Sequence, residues 1–165
     1  MIIVIKNKET LLIDDFKLRC VVGKKGINKN KVEGDYTTPR GIFKLGNIYY
    51  RSDRVQKPLT KVKSIVIKRN MGWCDDPNSK FYNRLIKIKK NLKISHEKFY
   101  RRDSKYDFLI LVKYNYKRTK KFKGSAIFLH LTKNYLPTKG CIALNKKDFL
   151  VMLKIIDKNS KIKIY

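Results

Sequence analysis

The chain has 165 residues, of which 42% are hydrophobic and 12% aromatic, which is enough apolar material for one enclosed core. A disordered tail is therefore excluded, and we predict a single domain over residues 1–165. The 41 Lys and Arg residues outnumber the 13 Asp and Glu residues, leaving a net charge of +28. This charge favours an anionic partner, which leaves nucleic acid, acidic lipid and a polyanionic wall polymer as alternatives.

The sequence contains no recognisable membrane span or export signal. No apolar run approaches the roughly 18 to 20 residues that cross a bilayer. The first residues, Met1 to Lys6, lack the basic start, the longer apolar stretch and the cleavage site of a secretory signal. We expect either a chain that stays inside the cell or one whose export signal is missing or unusual.

Short apolar runs rich in Ile, Val, Phe and Tyr and bounded by Gly, Asn, Asp or Pro predict β-strands. Asn7 and Lys8 alone separate the first two strands, which indicates a tight hairpin. Long loops, which often carry functional residues, are expected at 23–40, 70–83 and 132–139. In chain order, the predicted strands cover residues 1–6, 9–14, 18–22, 41–50, 64–69, 107–114, 125–131 and 160–165.

One late segment has helical spacing instead. Apolar residues recur between Phe149 and Ile156, and Asn145 precedes them with Asp148 three positions further on. An Asn side chain can cap a first helical turn, and an Asp within that turn complements the positive end of the helix dipole. These features predict a helix over 146–157 in an otherwise mainly β domain.

Among three cysteines and two histidines, only His130 and Cys141 lie close together in sequence. His130 ends a predicted strand, and residues 138–144 return after a polar loop. If these segments lie side by side, the imidazole can take the thiol proton, which a thiol needs to lose to become a nucleophile. Gly140 would let a substrate approach the backbone, and amides near Gly140 and Cys141 are candidates to stabilise an oxyanion. The start of the predicted helix is a further candidate to favour the thiolate.

Several other residues invite interpretation. Trp73, with Asp75 and Asp76 nearby, is a candidate to line the cleft, but two carboxylates without a third ligand make a poor metal site, so we expect no metal. His96 is interpreted as a surface or capping residue. Cys20 and Cys74 are expected to be small buried residues, which could form a disulfide in an oxidising compartment if their Cα atoms come within about 7 Å.

The ordered motifs resemble those of the YkuD-type L,D-transpeptidase catalytic domain. The similar elements are Gly34 to Phe43 (GDYTTPRGIF), Trp73 to Pro77 with Tyr82-Asn83, Gly124 to His130 (GSAIFLH), and Thr138-Lys139-Gly140-Cys141. The resemblance implies a single β-sandwich-like domain with one helix after the cysteine, acting on peptidoglycan stem peptides through a thioester and needing no cofactor. It also implies Cys141 as the nucleophile, His130 as the base, Gly140 in the turn that sets the cysteine, and the Leu131 carbonyl as a group that orients the imidazole.

At Lys139 the sequence departs from many family members, which have a second histidine directly before the Gly-Cys pair. Lys139 would lower the pKa of the thiol or bind a substrate carboxylate, or it is simply a solvated lysine. Thr138 and Trp73 are further substrate-binding candidates. Arg40 is another, because its planar guanidinium suits a carboxylate of the stem peptide, although the turn around it has an equally simple structural interpretation.

Two other functions stay open from the sequence. Aromatic residues beside basic ones at Phe99 to Arg102 and Tyr114 to Arg118 fit a nucleic-acid-binding domain, but the Lys excess is diffuse and we expect no specific nucleic acid partner. A cysteine hydrolase would share the acyl-enzyme and use water as the acceptor.

The expected partners are donor and acceptor stem peptides and the anionic cell-wall surface. The expected oligomeric state is a monomer, and the resemblance implies the cell envelope as the location. The sequence does not choose among cross-linking, D-amino-acid exchange, protein attachment and hydrolysis.

Overall fold

A computed structural model describes all residues from 1 to 165. The fold is mainly β with one helix, as predicted. The helix α1 spans Lys146–Ile155. The strands are β1 Ile2–Ile5, β2 Thr10–Ile13, β3 Phe16–Arg19, β4 Ile27–Asn28, β5 Thr38–Pro39, β6 Gly41–Tyr50, β7 Ser64–Val66, β8 Met71–Cys74, β9 Leu85–Lys87, β10 His96–Lys98, β11 Phe108–Val112, β12 Phe128–Leu131, β13 Ile142–Leu144 and β14 Lys161–Ile164.

Nine strands form the main sheet, in the order β13-β12-β11-β6-β14-β1-β2-β3, with β7 beside β6. The chain nearly closes this sheet on itself, because Val21, just after β3, exchanges two backbone hydrogen bonds of 2.9 Å with Ala143 in β13. The predicted hairpin between β1 and β2 is present, with Val4 opposite Leu12. Closure of this kind leaves few backbone groups unpaired at the edges of the sheet.

The main core lies inside the curved sheet. Alternation along the strands sends Leu129, Leu131 and Ile142 into it, and α1 adds Phe149 and Met152. A smaller core lies on the opposite face of β11 and β12, where the three-stranded sheet β10-β8-β9 covers it. Strands β11 and β12 are therefore buried on both faces, and β12 supplies His130 to the smaller-core side.

The observed strands differ from the predicted ones mainly in the middle of the chain. Strands β4 and β5 lie within the predicted loop 23–40, β8 lies within the predicted loop 70–83, and β9, β10 and β13 were not predicted. Each of these strands has only two to four residues, so its apolar pattern is too short to be read locally, and pairing with partners distant in sequence stabilises it instead. Strand β12 begins only at Phe128 because Ala126, with a φ of 52°, interrupts the extended conformation.

The capping prediction for α1 is confirmed. The backbone amide of Asp148 donates a 2.9 Å hydrogen bond to Oδ1 of Asn145, which is the N-cap residue. The helix starts at the predicted residue and ends at Ile155, two residues earlier than predicted. Its buried face packs on the main core and contacts β12.

Candidate active site

Cys141 and His130 are brought to one face of the main sheet by neighbouring parallel strands. In the register of β12 and β13, His130 lies opposite Ala143, two positions after Cys141. Alternate residues of a strand share a face, and standard strand spacings place such a diagonal pair about 8 Å apart at Cα. The side chains of both residues line one cavity of about 420 Å3, which we call the His130 cavity.

The imidazole of His130 is held in one orientation. Its Nδ1 lies 2.9 Å from the carbonyl oxygen of Leu131, so Nδ1 carries the proton and donates it, and Nε2 is left as the acceptor. The Tyr106 ring packs edge-on against the imidazole at 5.4 Å between centroids. The structure thus contains the contact with Leu131 that the family resemblance implied.

The electrostatic setting keeps both groups uncharged at neutral pH. Burial lowers the pKa of His130 to about 4, and the nearby Lys105 and Arg101 act in the same direction, whereas the bond with the Leu131 carbonyl opposes them. Burial raises the pKa of the Cys141 thiol to about 12. At rest the Cys141 thiol donates to the carbonyl oxygen of Ala126, with Sγ 3.3 Å from it, and the imidazole in the same cavity is neutral and can accept a proton.

The start of the helix α1 is separated from Cys141 by a strand. Strand β13 lies between Cys141 and the first helical residue, Lys146, and its three residues carry the chain about 10 Å at the usual rise per strand residue. The influence of a helix dipole fades within its first turn. This separation argues against the expectation that the helix start favours the thiolate, which stays a prediction.

The hydroxyl of Thr138 organises the turn that presents Cys141. It donates a 2.6 Å hydrogen bond to the carbonyl of Cys141 and accepts a 3.0 Å bond from the amide of Gly140. The Thr138 side chain is thus engaged within the turn, although the residue lines the His130 cavity. The amide of Gly140 already donates to the Thr138 hydroxyl. Of the two amides considered for an oxyanion site, the amide of Cys141 is therefore the one that has no hydrogen-bond partner.

Gly140 touches the loop 23–40 closely. Its φ is +141°, and a Cβ atom there would lie 2.8 Å from the carbonyl oxygen of Thr37. Thr38 adds a hydrogen bond of 2.8 Å from its hydroxyl to the carbonyl of Gly140. No other residue type fits the position without strain or displacement of the backbone, which gives Gly140 a steric role in the turn.

A buried ion pair holds the same loop beside the cysteine. Lys31 is 4% exposed, and its Nζ lies 2.8 Å from both Oδ1 of Asp35 and the carbonyl oxygen of Thr37. Burial alone would raise the pKa of Asp35, but hydrogen bonds from Lys31, Val32 and Thr37 outweigh it and lower that pKa to about 2. The positive charge of Lys31 in turn lowers the pKa of Cys141, against the larger effect of burial.

Lys31 also lines a second cavity, of about 220 Å3, which we call the Lys31 cavity. Three residues line both this cavity and the His130 cavity: Cys141, Lys139 and Glu97. The candidate nucleophile thus lies where the two spaces meet, with one basic and one acidic side chain beside it. Lys139 is exposed and lines both cavities, and its role in substrate binding stays a prediction.

The other substrate-binding candidates lie elsewhere. Arg40 is exposed and lines neither cavity. Trp73 is 1% exposed, donates a 2.9 Å hydrogen bond from Nε1 to Oδ1 of Asn83, and stacks on Phe99 in the smaller core. Trp73 is therefore a core residue that lines neither the Lys31 cavity nor the His130 cavity. The expectation that it lines the substrate cleft is corrected accordingly.

The acidic residues near Trp73 separate. Asp75 lines the Lys31 cavity, whereas Oδ1 of Asp76 accepts the backbone amide of Asn78 outside it. The structure contains no group of three or more His, Cys, Asp or Glu side chains arranged to hold a metal ion. His96 lies in β10 and is partly buried, with Nδ1 2.7 Å from the carbonyl of Ile94.

All three cysteines are free thiols. Cys20 is 1% exposed in the main core and Cys74 is fully buried in β8 of the small sheet, so the structure contains no disulfide between them. Cys141 alone keeps partial solvent exposure. It is the thiol that a substrate can reach.

The segments that combine aromatic and basic residues are engaged in internal contacts. Arg51 lies over the ring of Tyr100 at 3.5 Å, and Arg101 binds Asp103 at 2.6 Å. Tyr116 stacks on Trp73. A stacking platform for nucleic acid needs exposed rings, and these rings are used within the fold.

Sequence reasoning missed three residues that surround Cys141. Lys31 is one lysine among many, so its burial has no local signature. Glu97 and Tyr106 lie in a stretch with no clear periodicity, and they reach the site only because β10 pairs with β8 and the following loop returns to β11. The one sequence signal for the role of Lys31 was the Gly34-Asp35 motif, because the carboxylate of Asp35 needs a positively charged partner.

The fold and the site together define a mainly β protein with a cysteine and a histidine in one cavity. The family model for YkuD, the L,D-transpeptidase catalytic domain, matches residues 1–164, and the chain belongs to this family. The resemblance noted from the motifs is thereby confirmed for the whole chain.

Solved structures support the same fold. The helical cell shape determining protein Pgp2 from Campylobacter jejuni is similar with a TM-score of 0.54 and 16% identity, covering 99% of this chain and 46% of that one. Bd1075 from Bdellovibrio bacteriovorus is similar with a TM-score of 0.51 and 14% identity, covering 99% of this chain and 47% of that one. The chain thus spans less than half the length of either protein, and at these identities the likeness concerns the fold alone. No curated protein matches the chain. The one helix of the fold, α1, is not long and apolar enough to span a membrane.

Proposed function

We propose that the protein is an L,D-transpeptidase that acts on peptidoglycan stem peptides through a thioester on Cys141. The observation that carries the proposal is the shared cavity of Cys141 and His130, with the imidazole oriented by Leu131 so that Nε2 is free to accept a proton. Membership of the YkuD family supports the substrate class.

In the proposed reaction, Nε2 of His130 takes the thiol proton as the sulfur attacks the carbonyl carbon of the third stem residue. The developing oxyanion is bound by the amide of Cys141. His130 then returns the proton to the amine of the departing D-amino acid, and an acceptor resolves the thioester. Since thiol and imidazole are both neutral at rest, the thiol has to lose its proton to His130 by the time the carbon–sulfur bond has formed.

The cell envelope is proposed as the site of action, because peptidoglycan lies there. The net charge of +28 suits adhesion to an anionic wall. Cell fractionation with detection of the native protein tests this location. Recovery of the active protein only from the soluble cytoplasmic fraction would contradict it.

Intact-mass measurement tests the chemistry. The protein is incubated with a tetrapeptide-stem muropeptide or a carbapenem, and a stoichiometric adduct is expected on the parent chain. Peptide mapping should place the adduct on the segment that contains Cys141, and Cys141→Ala should form none. A folded parent protein that forms no adduct with either compound would refute the proposed function.

A further inference from the structure

Glu97 lies at the junction of the two cavities, beside the candidate nucleophile. With Lys139 and Cys141 it is one of the three residues that line both spaces. Its backbone belongs to β10 and pairs with Trp73 of β8, which is anchored in the smaller core. The carboxylate is therefore carried by a rigid element rather than by a loop.

The carboxylate of Glu97 has no close cationic partner. Arg101 approaches it only to 3.9 Å, because that guanidinium is held by Asp103 at 2.6 Å. The hydroxyl of Tyr106 lies 3.4 Å away. By contrast, Asp35 and Asp53 bind their cations at 2.8 Å and 2.7 Å. Glu97 is 30% exposed, so most of its hydrogen-bonding capacity is available to a ligand in the cavities.

Glu97 is not placed to activate the thiol. Its negative charge raises the pKa of Cys141, which opposes formation of the nucleophile. A second carboxylate, Asp75, lines the Lys31 cavity, and its buried Oδ1 has no hydrogen-bond partner. Of the acidic residues near Cys141, Glu97 is the one that lines both cavities, and its partly exposed carboxylate can meet a cation in either space.

We propose that Glu97 binds the ammonium group of the acceptor and so directs the acyl group of Cys141 to an amine rather than to water. This inference rests on the proposed acyl-enzyme. In the transfer, the amine nitrogen forms a bond to the acyl carbon and the bond from that carbon to Sγ breaks. Of the two protons that the ammonium loses, one passes to solvent and the other through His130 to the sulfur of Cys141. The products are an amide and the free thiol.

The test compares two amines on the preformed acyl-enzyme. The donor is a tetrapeptide-stem muropeptide, and the acceptors are glycinamide, mostly an ammonium at pH 7, and hydroxylamine, mostly neutral there. Glu97→Gln is expected to form the acyl-enzyme and to raise the KM for glycinamide about tenfold, with little change in the KM for hydroxylamine. Glu97→Asp should recover part of the loss. Asp15→Asn, which removes an exposed carboxylate outside the site, is the charge-matched control.

A second measurement uses the parent protein and does not depend on how the variants fold. Added salt should change the KM for glycinamide and leave that for hydroxylamine nearly constant, because screening acts only on the charged acceptor. An equal effect of Glu97→Gln on both amines, or an acyl-enzyme that only hydrolyses, would overturn the role of Glu97 and leave the proposed acyl-enzyme standing. Absence of any acyl-enzyme in the parent protein would instead refute the proposed function, and this inference with it.

Discussion

The hydroxyl of Thr38 donates a 2.8 Å hydrogen bond to the carbonyl of Gly140, which joins two segments 102 residues apart. The same hydroxyl accepts a 2.9 Å bond from the amide of Gly23. Thr38 is fully buried, so neither backbone group can turn to water in its absence. This single side chain ties the loop 23–40 to the turn that presents Cys141.

Thr38→Val should destabilise the protein by about 2 kcal/mol, because a methyl group replaces the hydroxyl and two buried polar groups lose their partner. Acyl-enzyme formation should slow at the same time, since the turn at Gly140 loosens. Urea unfolding and intact-mass time courses measure the two effects. Thr38→Ser keeps the hydroxyl and is the matched control, and a similar loss in that variant would show that the methyl group matters more than the hydrogen bonds.

Gly140→Ala should abolish acyl-enzyme formation and lower stability by more than about 2 kcal/mol, because the new Cβ meets the carbonyl of Thr37 at 2.8 Å and the φ of +141° is strained. Gly34→Ala is the comparison, since Gly34 also has a positive φ, of +76°, but has no atom within 4 Å of its Cβ position. That variant should lose only about 1 kcal/mol, the cost of the backbone conformation. Thermal unfolding and adduct formation are measured for both. Normal acylation in Gly140→Ala would contradict the steric role.

The stability of the protein should fall as the pH drops from about 7 to about 4.5. His130 has a pKa of about 4 when folded and about 6.5 when unfolded, so in this range the unfolded chain binds a proton that the folded chain does not. The free energy of unfolding should decrease by about 2 kcal/mol from this group. His130→Gln should remove that part of the pH dependence. Urea unfolding at both pH values checks it, and an unchanged slope in the variant would argue against a buried neutral imidazole.

The rate of alkylation of Cys141 by iodoacetamide should be low at pH 7 and should increase about tenfold per pH unit up to pH 10. Burial raises the pKa of this thiol to about 12, so the reactive thiolate is scarce at neutral pH. Cys20 and Cys74, which are 1% and 0% exposed, should stay unlabelled in the folded protein. Peptide mapping by mass spectrometry follows each site. Fast labelling at pH 6 that levels off would indicate a preformed ion pair with His130 instead.

Trp73→Phe should lower stability by about 2 kcal/mol and leave the acyl-enzyme detectable, because Trp73 is a core residue rather than a ligand contact. The change removes the Nε1 hydrogen bond to Asn83 and part of the packing on Phe99. Oδ1 of Asn83 keeps its 3.2 Å bond from the amide of Ala126, which preserves the backbone next to Cys141. A raised KM for the donor with unchanged stability would restore Trp73 as a binding residue. Thermal unfolding and acylation kinetics separate the two results.

Local patterns in the sequence were sufficient for the elements that local forces specify. Alternating apolar residues marked the longer strands, and Asn145 with Asp148 marked the start of α1, because a cap is made within four residues of chain. The closeness of His130 and Cys141 in sequence made them a candidate pair if their segments lay side by side, and the parallel register of β12 and β13 puts both residues on one face. The motifs around them were sufficient to indicate the family.

The roles of Trp73, Lys31 and Glu97 were decided only by tertiary structure. A buried tryptophan and a cleft tryptophan look alike in sequence, and a buried lysine cannot be told from many solvated ones until its partner Asp35 is in place. Glu97 lies near Cys141 because β10, of three residues, pairs with β8, of four, in a small sheet that packs on the aromatic smaller core. Short-range periodicity encodes which face of a strand is apolar, whereas the pairing of distant segments depends on packing summed over the whole fold, and the surroundings of the cysteine depend on that pairing.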